Sequence, residues 1–154
     1  MFKRAIVPLD GSALAEGIMP FLLDIAGPLD LEIDLVRVIA PLPPPTVDPA
    51  SPVVIDDIAA RTEDARTYLA TIAAGLRARG VRVTTEARVG DVVSEILAAA
   101  KAAGADLIAM TTHGRSGFGR VLFGSVAEAV LRRSGVPVFV MRLTERDVAA
   151  RPAA

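Results

Sequence analysis

The chain has 154 residues, with 17 Lys and Arg against 18 Asp and Glu, one His and no Cys. That length suits a single domain with a core of its own, and the lack of Cys excludes disulfides, iron–sulfur clusters and thiolate zinc sites. A net charge of −1 offers no broad basic field for nucleic acid, and the absence of Trp with few other aromatics offers no stacking platform for single strands.

The chain opens Met1-Phe2-Lys3-Arg4-Ala5-Ile6-Val7-Pro8-Leu9-Asp10. Pro8 and Asp10 end the apolar run too early for a signal peptide, and no later run approaches the ~20 residues of a membrane span. A cytoplasmic location is the expectation, since a reducing compartment suits a chain without Cys. Arg4–Leu9 reads as a first strand. Asp10-Gly11-Ser12 is a turn that can also cap a helix over Ala13–Ala26. A second strand follows at Glu32–Ile39. The Pro-rich stretch Pro41–Pro52 cannot be helix or central strand and reads as a long exposed connection. A helix from about Val54 to Arg79 ends at Gly80. The polar strand Val81–Val89 is the best edge candidate. A helix over Asp91–Ala103, with Gly104 as its exit, leads to a fourth strand at Asp106–Thr111. A last helix starts at Ser125 and ends near Ser134-Gly135, and Pro137–Arg142 forms a fifth strand. Thr144–Ala154 shows no strong pattern and is expected to fray, so residues 1–143 make up the expected domain.

Strands alternate with helices, which predicts βαβ units with right-handed crossovers around a parallel sheet. The first and fourth strands are near-continuous apolar runs, as in strands buried on both faces, and so belong at the centre. The second and third alternate more and belong nearer an edge.

The stretch from His113 to Ser125 carries four glycines between a buried strand and a helix start. Glycine lets the backbone approach a ligand closely, and the open N–H groups of a helix start favour an anion. Gly119 to Ser125 resembles a P-loop without its lysine, which argues against a P-loop NTPase. The G-x-G-x-x-G dinucleotide fingerprint is absent as well. Each residue has a plain structural reading too. Ser125 with Glu128 fits a capping box, Asp10 can cap the first helix, and Arg115 and Arg120 can be solvated loop charges. Together, however, Asp10 at the end of strand one and the Gly-rich loop after strand four would flank a crevice at the carboxyl edge of an open sheet. One carboxylate for a ribose or a cation, plus a phosphate cradle, is what a nucleotide requires.

At this point the sequence resembles the universal stress protein family, from about Phe2 to Arg142. Three pieces carry the likeness: Ile6-Val7-Pro8-Leu9-Asp10-Gly11-Ser12, His113-Gly114-Arg115-Ser116-Gly117, and Gly124-Ser125-Val126-Ala127-Glu128 followed by Val136-Pro137-Val138. The ATP-binding branch of that family carries G-2x-G-9x-G-[ST]. Gly114, Gly124 and Ser125 match it, whereas Thr111 stands at its first glycine.

The resemblance implies a flavodoxin-like, doubly wound three-layer α/β fold with five parallel strands in the order 3-2-1-4-5. It implies ATP as ligand, with Mg²⁺ or Mn²⁺ on the phosphates. Asp10 would hold the ribose or a phosphate-bound cation, with Pro8 and Leu9 as the floor. Val38 would meet the adenine edge through its backbone, with Met110 near the base or sugar and Thr111 at the strand end. Gly114, Arg115, Gly124, Ser125 and Val126 would wrap the phosphates. A homodimer through strand 137–142 is implied too. The leading expectation is a non-enzymatic ATP-binding stress regulator. The alternatives are slow ATP hydrolysis with His113 nearby, and a nucleotide-free interaction module.

Overall fold

The computed structural model describes residues 1–41, 52–113 and 124–149. Five strands, β1 (Arg4–Pro8), β2 (Glu32–Ile39), β3 (Val83–Val89), β4 (Leu107–His113) and β5 (Val138–Leu143), alternate with helices. The helices are α1 (Ala13–Glu16), α2 (Met19–Leu29), α3 (Pro52–Arg77), α4 (Val92–Ala103), α5 (Ser125–Arg133) and α6 (Glu145–Ala149). All strand pairs are parallel, and the order is β3-β2-β1-β4-β5. This is the expected doubly wound α/β sheet, with β1 and β4 adjacent at its centre and β3 at an edge.

Strand alternation sends side chains into two cores. Ala5, Val7, Ile33, Leu35, Leu107 and Ala109 pack under α1, α2 and α3, where Ile18, Leu22, Leu69 and Leu76 meet them. Ile6, Val36, Ile108 and Met110 pack on the opposite face against Ile96, Ala99, Ala127 and Val130 of α4 and α5. Each fully buried Leu or Ile stabilises the fold by about 1.5–3 kcal/mol relative to exposure. These two cores make the sheet the rigid middle layer of three.

Two local expectations change. The helix expected over Ala13–Ala26 is two helices, broken at Gly17-Ile18. Pro20 lacks the N–H that Glu16 would accept, and its ring clashes with that carbonyl, so Pro20 sits instead in the first turn of α2. At its far end α2 runs past Ala26 through Pro28, and Asp30 closes it in the left-handed region at φ 51°. The second strand lies nearer an edge as expected, between β1 and the edge strand β3, and is buried or half-buried along its whole length, with Arg4 paired to Glu32 and Thr84 bonded to Asp34. Past β5, Thr144 accepts the Asp147 N–H at 3.3 Å and donates its own N–H and hydroxyl to Asp147 Oδ2, both at 2.7 Å. That reciprocal cap starts α6 in a segment where no pattern had been read. Among the described residues, no helix is long and apolar enough to cross a membrane.

Candidate functional site

The carboxyl ends of the parallel strands gather at one edge of the sheet, and β1 and β4 deliver the central segments there. Beyond β1, the Leu9 N–H still donates to the Val36 carbonyl at 2.8 Å. The chain then turns. Asp10 Oδ1 accepts the Ser12 N–H at 2.9 Å, and Gly11 lies between them at φ +87°, a region that L side chains rarely adopt. Ser12, not Asp10, is the N-cap of α1, its Oγ accepting the Ala15 N–H at 3.1 Å. The Asp10 carboxylate is therefore not needed as the helix cap.

Beyond the centre of β4, successive side chains part. Met110 enters the α4–α5 core. Alternation puts Thr111 on the face of Leu107 and Ala109, with α1 and α2. Thr112 returns to the α5 side, 2 % exposed, and its Oγ1 accepts the Gly124 N–H at 2.7 Å. This bond pins the start of α5 to the end of β4.

Gly124 is the N-cap of α5 and has no side chain to cap it. Ser125 is thus the first helical residue, one position too late for the capping box read from the sequence. Glu128 turns to Arg132 instead, accepting at 2.9 and 3.1 Å. The first-turn N–H groups from Ser125 to Ala127 have no intrahelical acceptor. Gly124 itself takes an ordinary extended conformation, φ −66° and ψ 156°. A Cβ there would meet, among the described residues, Thr112 Oγ1 at 3.4 Å, an ordinary contact. Neither the backbone nor this packing demands a glycine.

Between these ends lies a cleft of about 340 Å³. Pro8, Leu9, Asp10 and Ser12 line it from β1 and its turn, and Val38 from β2. Met110, Thr111 and Thr112 line it from β4, and Gly124, Ser125 and Val126 from α5. Its size lies at the low end of the range for small-ligand sites, and its apolar walls with a few polar groups fit that class. Gly114 and Arg115, with the rest of 114–123, lie outside the described residues, as does 42–51 of the Pro-rich connection. His113 is the last residue of β4, paired in register with Leu143. Among the described residues, no group of three or more His, Asp or Glu could hold a metal ion by itself.

The sequence reading missed Thr112, and also Val92 and Ile96, which line the wall from α4. Thr112 was within reach, since it lies two residues beyond Met110 on the same face of a strand. The α4 wall was not, because it depends on how a helix seats on the sheet.

The universal stress protein family model matches residues 1–142. The chain is 30% identical over 149 residues to the universal stress protein MJ0531 of Methanocaldococcus jannaschii, covering 96% of this chain and 86% of that protein. The solved structure of MJ0577 from the same organism superposes with a TM-score of 0.72 at 26% identity, over 93% of this chain and 97% of that one. A universal stress protein family protein of Arabidopsis thaliana, solved with AMP bound, shares the fold at 16% identity and a TM-score of 0.66, over 98% of each chain. The family match and the relative's identity both run along nearly the whole length, and this chain belongs to the universal stress protein family.

Proposed function

We propose that this chain binds ATP in the crevice between the Asp10 turn and the start of α5, and acts as a nucleotide-dependent regulator in a stress response. The observation that carries the reading is the β4–α5 junction. Among the described residues, a Cβ at Gly124 would meet only Thr112 Oγ1, Ser125 is not the helix cap, and the first-turn N–H groups of α5, which have no intrahelical acceptor, stand beside an apolar-walled cleft. A helix start of this kind attracts phosphate through its N–H groups and its dipole. The adenine would lie against Val38 and Met110, with Pro8, Leu9 and the Thr111 backbone beneath. Asp10 would take the ribose hydroxyls or a cation, and Gly124, Ser125 and Val126 would take phosphate oxygens, joined by Gly114 and Arg115. An adenine nucleotide is the class favoured by the AMP-bound relative. Mg²⁺ or Mn²⁺ would be held by the phosphates with Asp10 as its protein ligand, because no larger acidic cluster stands among the described residues.

The same reading includes a cytoplasmic homodimer through residues 137–142. β5 is the outer strand of the sheet, and its Val138 to Met141 stretch is half-buried within the chain. A second copy would cover that edge.

The test is calorimetric titration of nucleotide-stripped protein with ATP and Mg²⁺, beside Gly124→Asp. Micromolar binding in the wild type, lost in the variant, is the expected result. Equal affinity in the variant would place the phosphates elsewhere, and no binding to the wild type would end the reading.

A further inference from the structure

A cation reaches the Asp10 turn from outside the cleft. Arg37 lies on β2 between Val36 and Val38, and alternation puts its side chain on the opposite face from theirs, above Leu35. A Cβ built on Gly11 would lie 3.2 Å from Arg37 Nη2 and 3.3 Å from both Cζ and Nη1. Near-equal distances to three atoms of a planar group put that point over the plane and not at its edge, so the guanidinium lies face-on across the space that a Gly11 side chain would fill.

The same guanidinium stands 4.9 Å from the ring centroid of Tyr68 on α3, a cation–π contact. Tyr68 is fixed in turn, its hydroxyl donating to Glu16 Oε1 on α1 at 2.7 Å. Burial and then that hydrogen bond push the phenol above its usual range, so the bond to Glu16 persists into alkaline pH. Glu16, Tyr68 and Arg37 thus form a strut from α1 and α3 through β2 to Gly11. Gly11 meets it with a backbone at φ +87° that strains other residues and a surface that a side chain would crowd.

We propose that Arg37 is a positioning residue for the nucleotide: it holds the Asp10-Gly11-Ser12 turn so that the Asp10 carboxylate meets the ribose hydroxyls. The inference rests on the nucleotide reading for its ligand, while the strut itself exists without one. A planar cation is required, because a lysine ammonium is a point charge that cannot lie flat on a backbone.

The experiment has two readouts on the full chain. In nucleotide-free protein, amide exchange at Ser12 is compared with exchange in β2 by NMR. In Arg37→Met the Ser12 amide should exchange about tenfold faster while β2 is unchanged, the size of a local opening eased by ~1.4 kcal/mol. ATP and 2′,3′-dideoxy-ATP are then titrated by calorimetry. Arg37→Met should weaken ATP about tenfold and the dideoxy analogue little, so that the preference for ribose collapses. Arg37→Lys should fail to restore it. Tyr68→Leu, which takes the ring from the guanidinium, should move both readouts the same way by less, and it serves if Arg37→Met does not fold. Unchanged Ser12 exchange overturns the strut whether or not a nucleotide binds. Faster exchange with the ribose preference intact overturns its link to the ligand. A wild type that binds neither nucleotide, yet shows faster exchange in the variant, supports the strut and ends the nucleotide reading.

Discussion

The two edges of the sheet set their polar residues in different surroundings. At the amino edge, charges satisfy one another. Arg4 donates to Glu32 and, at 2.7 Å, to the Ala103 carbonyl, and it stands 3.8 Å from Asp34. Asp106 accepts the backbone N–H groups of Lys3 and Arg4, and Arg82 pairs with Asp30 and Glu32 at 3.1 Å each. At the carboxyl edge, Asp10, Ser12, Thr112 and Ser125 instead ring a cleft with apolar walls. Among the described residues the amino edge is rich in ion pairs, but the cavity beside Asp30, Arg79 and Arg82 there is about 130 Å³ against about 340 Å³. Charge density is therefore a poor guide to the ligand site here. The better guide is polar groups gathered around an apolar-walled cleft large enough for a ligand.

The largest effect that separates the edges is Gly124→Asp. It adds a Cβ and a negative charge beside the open N–H groups of α5, and the expected loss of ATP affinity is about a hundredfold or more, some 2.7 kcal/mol. Its melting temperature should stay near that of the wild type, because the ordinary φ at Gly124 accepts a side chain. Thr112→Val comes next. It keeps the shape but leaves the Gly124 N–H without its acceptor, a loss of about 1–2 kcal/mol in stability. Freed from β4, the start of α5 should also weaken ATP severalfold by calorimetry. Asp106→Ala tests the other edge. It removes the acceptor for the N–H groups of Lys3 and Arg4, so the melting temperature should fall by about 2–5 °C with ATP affinity unchanged. An Asp106→Ala protein with altered affinity would erase the distinction between the edges.

Much of this was legible in the sequence. The apolar runs of β1 and β4 carried their central places, because burial on both faces leaves no alternation. The polar run Val81–Val89 carried the edge place of β3. Strand order itself came from family likeness, since no local pattern encodes which strands meet. At the site, Asp10, Gly124 and Ser125 were readable as strand-end and helix-start residues. The break at Gly17 was readable too, as Pro20 announces it, but apolar periodicity across Ala13–Ala26 masked it. Arg37 was not readable. Its role depends on a glycine 26 positions earlier and a tyrosine 31 positions later meeting above one strand, a coincidence of tertiary packing. The pairing of Thr144 with Asp147 is legible in principle as a cap, but a helix of five residues leaves no apolar period to confirm it.

The smallest effect refines the comparison within the carboxyl edge itself. Asp91 follows β3 there and caps α4, the helix that lends Val92 and Ile96 to the cleft. Its Oδ1 accepts both the Ser94 hydroxyl at 2.6 Å and the Ser94 N–H at 2.9 Å. The hydroxyl first, and then the N–H, hold the carboxyl below its usual range. A carboxylate lowered in the folded state contributes stability that is fully present above its unfolded pKa, about 3.9, and is lost as pH falls through the lower folded value. The cap thus favours folding at neutral pH and gives way below about pH 4. Because Asp91 is exposed, the contribution is small and a titration is the sensitive probe. By NMR, Ser94→Ala should move the Asp91 midpoint upward, toward the ordinary value, while the backbone N–H retains part of the shift. Saturating ATP should leave that midpoint in place, since Asp91 is already satisfied by its own helix. A midpoint that moves with ATP would mean that the nucleotide reaches the Asp91 cap itself and not only the Val92 and Ile96 wall of α4.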